Sequence, residues 1–111
     1  MSSLQTIFER KLIATFPEPH QRKGAFSKFP HFEDMSEDMR YRVWLAILKL
    51  SEGNQDKLAT AIEAATEDPK DAIEWAERPF SWKARIKNQF NEKESSDYDL
   101  QDWAQYVSWL L

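Results

Sequence analysis

Three cations and two aromatic rings fall between residues 82 and 90: Trp82, Lys83, Arg85, Lys87 and Phe90. That mixture suits nucleic acid, because ammonium and guanidinium groups meet phosphates while indole and phenyl faces stack on bases. If the segment is helical, Lys83 and Lys87 share a face one turn apart and Arg85 lies elsewhere. A solvated face opposite a core stripe of Phe80, Ile86 and Phe90 accounts for the same residues and is the preferred reading. His20, Arg22, Lys23 and Lys28 form a second, looser basic patch, and the nucleic-acid reading gains only if the two patches meet in space. Charge speaks against it. The net charge is −4, and residues 51–111 carry 13 Asp/Glu against 7 Lys/Arg, whereas residues 1–50 carry 6 against 8. A polyanion approaching 82–90 meets mostly like charge, so nucleic acid is not the expected partner.

Metal and covalent chemistry find less to work with. Without cysteine, no thiolate zinc site, iron–sulfur cluster, thiol nucleophile or disulfide can form. His20 and His31 belong to no helical His-x₃-His or HExxH pair, and His31 with Glu33 is the nearest approach to a ligand set. Asp97, Asp99 and Asp102 are spaced like the start of a calcium loop. The central glycine and the later bidentate glutamate are missing, so these acids read as charge near a helix N-terminus. No serine sits in a nucleophile elbow, no glycine-rich loop is present to cradle a phosphate, and the spacing of the 19 acids singles out no acid–base pair. The expectation is no enzyme, no metal and no cofactor, with a small enzyme using a carboxylate pair as the further alternative.

The aromatic load is the least ordinary feature. With 5 Trp, 7 Phe and 3 Tyr in 111 residues, either Trp44, Trp75, Trp82, Trp103 and Trp109 fill one core, or some rings form an exposed patch of the kind that mediates protein–protein contact. Tyr106 and Trp109 are the rings expected at the surface, because they fall beside the C-terminal apolar stripe rather than within it. Together with Trp82, Lys83, Arg85 and Lys87 they make up the expected partner-binding set. The expected function is therefore that of a small, cytoplasmic, non-catalytic protein acting by protein–protein contact, as an adaptor, regulator or inhibitor. Nucleic-acid binding through 82–90 is the alternative.

These residues need elements to hold them. Hydrophobic residues make up 41% of the chain and charged residues 31%, with only 2 Gly and 5 Pro, a composition that packs a core and favours helix over turn-rich sheet. Leu4, Ile7, Phe8, Leu12 and Phe16 predict a first helix over about 3–15, stopped by Pro17 and Pro19. The stretch Glu18 to Glu33 lacks a clean period and reads as an ordered loop anchored by Phe26, Phe29 and Phe32. Asp34 or Ser36 opens the strongest helix, about 36–52, closed by Gly53. Its run Val43 to Leu48 is apolar nearly all round, so Trp44, Leu45, Ile47 and Leu48 are expected to be buried and the helix central.

Asn54 caps a third helix with Leu58, Ala61, Ile62 and Ala65 on one face. Asp68 as N-cap, Pro69 at the first position and Asp71 at the third then open a fourth, through about Arg78. Phe80 to Phe90 predicts a fifth, Asn91 to Asp97 a polar loop, and Ser96 to Asp99 a capping box before a last helix. That helix carries Leu100, Trp103, Ala104, Val107, Leu110 and Leu111 at helical spacing. The whole is expected to be all-α: one domain, 1–111, folded as a compact orthogonal bundle of five to six short helices around the central one. Glu9, Arg10 and Lys11 break any secretory signal, and no run is long enough to span a membrane. A protein partner, no membrane, and a monomer or weak homodimer complete the expectation.

Overall fold

Seven helices follow one another in the computed structural model of the chain, which describes residues 3–86 and 92–111 and the side chains of 3–83 and 99–111. They are α1 (Ser3–Thr15), α2 (Pro19–Ser27), α3 (Glu37–Ser51), α4 (Gln55–Glu67), α5 (Pro69–Glu77), α6 (Pro79–Ile86) and α7 (Glu92–Leu110). Among the described residues there is no strand, and no helix is long and apolar enough to cross a membrane. The all-α expectation holds, with seven helices among the described residues in place of five or six.

The central helix is where its apolar run put it. Val43 to Leu48 are all buried, and α3 packs against α1, α4 and α5. Ser36 opens it by accepting from the Met39 amide at 3.2 Å. At the other end Glu52 and Gly53 take left-handed conformations, φ 51° and 74°. A Cβ on Gly53 would sit 3.0 Å from the Thr15 carbonyl oxygen, so glycine serves there both the turn and the close approach of α1. Asn54 and Asp68 cap α4 and α5 as their types require, accepting from Lys57 N at 3.0 Å and Asp71 N at 3.1 Å. Asp68 with Pro69 thus breaks the chain into the tight α4–α5 hairpin.

Two segments depart from expectation. Residues 19–27 form α2 rather than a loop. Pro19 does not end anything; it occupies the first turn of a new helix, where a missing N–H costs nothing, and the exposed Glu18 carboxylate caps it by accepting from His20 N and Gln21 N at 3.0 and 2.7 Å. Those bonds hold the Glu18 carboxyl below its usual pKa. The second departure is 92–97, which is helical from Glu92. Glu and Lys are strong helix formers, and a segment without an apolar period can still extend a helix whose later turns are packed. Lys87, Phe90 and Asn91 lie outside the described residues.

Of the three phenylalanines expected to anchor 18–33, Phe29 is buried and Phe32 half-buried, while Phe26 is 38% exposed. Phe8, Phe26, Phe29, Tyr41 and Trp44 form one aromatic cluster with centroids 5.3–6.1 Å apart, and the Trp44 indole donates to the Pro30 carbonyl at 2.7 Å. Gly24, inside α2, has nothing within 4 Å of the position its Cβ would take. Gly24→Ala is therefore expected to stabilise the protein by about 0.4–1 kcal/mol, since alanine removes unfolded-state freedom at no steric cost. A lowered midpoint in thermal unfolding would contradict the helical assignment of α2.

The C-terminal helices attach to this body through α5, α6 lying on α5 and α7, and α7 on α5 and α6. A second tie joins the chain ends. Arg10 and Lys11 of α1 donate to the carbonyls of Leu110 and Trp109, at 2.7 and 2.6 Å, and the Lys11 ammonium lies 4.5 Å from the Trp109 ring centre. Cations on the last carbonyls of a helix satisfy orphan acceptors and complement its dipole.

Candidate functional site

Alanine, leucine and tryptophan alone would orient α7 by their own stripe. The helix instead turns a different face inward: Asp102, Gln105, Tyr106, Trp109 and Leu110 are buried or half-buried, at spacings of three, four, seven and eight. Asp102 sets that face. Its carboxylate is 1% exposed and accepts from Phe80 N at 2.8 Å, Ser81 N at 3.3 Å and Ser81 Oγ at 2.7 Å. These are the free donors of the first turn of α6, so a residue 22 positions away in the chain does the work of an N-cap.

With Asp102 inward, Leu100 and Trp103 are driven outward, 67% and 66% exposed. They line a groove of about 680 Å³ together with Arg42 of α3, Glu77 and Arg78 at the end of α5, and Tyr106. The charges on this surface are already paired. Arg42 grips Glu77 through Nε and Nη2, both at 2.8 Å, and Arg78 bonds Asp99. The Glu77 bond raises the Arg42 pKa further above its usual value. Burial pushes the Tyr106 phenol well above the ordinary tyrosine pKa, with the Glu77 charge adding and Arg42 opposing. Tyr106 therefore keeps its proton across the physiological range and serves as a wall of the groove, not as a base. The groove thus offers an apolar rim over internally neutralised charge.

Among the described residues, the partner-binding set read from the sequence divides between α6 and α7, two helices that pack on each other. Trp82 is half-buried, stacked on Trp75 at 5.0 Å and 13°, with its N–H donated to Asp71 at 3.1 Å. Lys83 is exposed on α6. Arg85 belongs to α6, but its side chain lies outside those described, and Lys87 lies outside the described residues altogether. Tyr106 and Trp109 are half-buried rather than exposed, stacked on each other at 5.9 Å and 18°. The second basic patch lies on α2 and its C-cap rather than on the helix of Lys83, the one cation of the first whose side chain is described: Arg22 is spent on the Phe16 and Pro17 carbonyls at 3.2 Å each, and α2 is tied to α1 and α3 through Phe26 while α6 lies on α5 and α7. His20 and His31 are exposed, and the described residues contain no group of three or more His, Asp or Glu placed to hold a metal ion.

Sequence reasoning missed Arg42, Glu77, Arg78, Asp99, Leu100 and Trp103 as a group because three separate helices bring them together. The one available signal was Asp102 itself, the last charged residue of the sequence, set between Leu100 and Trp103 of the apolar stripe. Comparison with protein families, curated proteins and solved structures finds no match to the chain.

Proposed function

We propose that the protein is a non-catalytic binding module whose partner is another protein, seated on the α3–α5–α7 groove, and that it works in the cytoplasm as a monomer or weak homodimer. The observation that carries this reading is the exposure of Leu100 and Trp103 side by side on the groove rim. An indole left two-thirds in water next to a leucine is a surface that gains from being covered, and tryptophan is the residue most often found to dominate an interface. Because Arg42, Glu77, Arg78 and Asp99 pair with one another, the groove asks for no net charge in its partner. Its occupant is a segment with a large apolar side chain at its centre and a polar edge that can use the ionic rim. The nucleic-acid alternative is weaker for what Trp82 does: one ring face is on Trp75 and its N–H is on Asp71, so little of it is left for a base.

The test is site-specific photocrosslinking in the native host, with a photoreactive residue at Leu100 and a control at exposed Lys70, followed by titration of the crosslinked protein with purified chain. Trp103→Ala is expected to weaken that complex by about 30-fold, the equivalent of a hot spot of about 2 kcal/mol. An affinity unchanged by the substitution would overturn the reading. So would salt-sensitive micromolar binding of labelled oligonucleotides with no protein captured at Leu100.

A further inference from the structure

A second concave site lies on the other flank of α5 and shares no residue with the groove. Lys49 at the end of α3, Lys57 of α4, Trp75 of α5 and Lys83 of α6 line a pocket of about 340 Å³, within the range of small-molecule sites. Three lysines from three helices converge there in a chain whose net charge is −4. One of them is answered: Lys57 pairs with Glu52. The other two are not, since neither Lys49 nor Lys83 has a hydrogen bond or ion pair among the described residues.

Lys49 is the informative one. Its side chain is half-buried between packed helices, and burial pulls its pKa below the ordinary lysine value even though the charges of Glu52 and Asp102 pull the other way. A half-buried cation with no hydrogen-bond acceptor among the described residues is only partly compensated by those two carboxylates. An anion in the pocket would supply the missing acceptor. Trp75 supplies the remaining character, an indole wall held rigid by its stack on Trp82, and a fixed aromatic face favours a flat apolar body in the ligand.

We propose that this pocket binds a small aromatic anion, with its phosphate or carboxylate group held by Lys49 and Lys83 and its ring against Trp75. The experiment is a titration of the full chain with phenyl phosphate, benzoate, inorganic phosphate and phenol, followed by the indole N–H resonance of Trp75 in two-dimensional NMR. The two aromatic anions are expected to shift that resonance saturably and to bind at least about 10-fold more tightly than phosphate or phenol, each of which offers only half of the recognition. Whichever of the two binds more tightly identifies the anionic group. Lys49→Met keeps the buried stem and removes the charge, and Lys83→Gln changes an exposed side chain that the fold does not need. Each is expected to weaken binding by about 10-fold or more, with the helical circular dichroism unchanged. Inorganic phosphate binding as well as phenyl phosphate, affinities unchanged in both variants, or no saturable shift up to about 10 mM of any probe would each overturn the proposal.

Discussion

Leu48→Ala is expected to lower the unfolding free energy by about 2–5 kcal/mol, read as a lower urea midpoint with the slope of the transition unchanged. Leu48 is completely buried at the end of the apolar run of α3, the helix against which α1, α4 and α5 all pack. The loss has two parts, the transfer free energy of the deleted carbons and the void they leave. The void decides where in the range the value falls. Here the walls resist closing: α1 is held at its far end by Arg10 and Lys11 on the carbonyls of α7, α3 and α4 are locked by the left-handed turn at Glu52 and Gly53, and Asp68 fixes the α4–α5 corner. A site that cannot collapse puts the cost in the upper half of that range. Leu50, on the same helix but only half-buried, supplies the control; Leu50→Ala is expected to cost clearly less. Equal losses at the two positions, or a loss under about 1 kcal/mol at Leu48, would mean that α3 is not the centre of the fold.

How much of this was legible in the chain depends on which signal each element used. The core of α3 was legible because six consecutive apolar residues can be satisfied only by cover on several sides. The breaks at Asn54 and at Asp68–Pro69 were legible because each cap is made by neighbours in sequence. Residues 19–27 were not, because a proline ends one helix or begins the next with the same local chemistry, and only the Glu18 carboxylate on His20 N and Gln21 N separates the two. The candidate groove failed for a different reason. A stripe through Leu100, Trp103, Ala104, Val107, Leu110 and Leu111 is the apolar face by count, yet the packed face centres on Asp102, Gln105, Tyr106 and Trp109, with only Val107 and Leu110 of that stripe half-buried. Two positions are about 200° around a helix, so a reading that treats acid as outside turns the Leu100 to Trp103 part of α7 nearly back to front. Exchanging the expected exposure of Tyr106 and Trp109 for that of Leu100 and Trp103 follows from that single residue. Hydrophobic periodicity carries no information about a carboxylate recruited to another helix's unsatisfied donors.

Asp102 is accordingly the side chain whose removal should do most damage for its size, and Asp102→Ala is expected to cost about 2–4 kcal/mol. The estimate adds a lost N-cap, about 1 kcal/mol, to the penalty for leaving the Phe80 amide, the Ser81 amide and the Ser81 hydroxyl without an acceptor in a site that water reaches poorly, about 1–3 kcal/mol. Charge matters as well as shape, because the carboxylate faces the positive end of the α6 dipole and its bonds are charge-assisted. Asp102→Asn keeps one acceptor oxygen but turns an NH₂ toward donors, so it is expected to fall between wild type and Asp102→Ala, at about 1–2 kcal/mol. The loss should also be local. Amide hydrogen exchange at Phe80 and Ser81 is expected to accelerate more than exchange at Trp44 to Leu48, since the first turn of α6 can open while the α1–α3–α4–α5 body keeps its own contacts. The same loosening reaches the groove, because Leu100 and Trp103 are presented by the rotation that Asp102 imposes on α7. An Asp102→Ala protein that keeps wild-type stability and wild-type exchange at Phe80 and Ser81 would show that the apolar contacts of α7, and not its one buried acid, choose the face it turns inward.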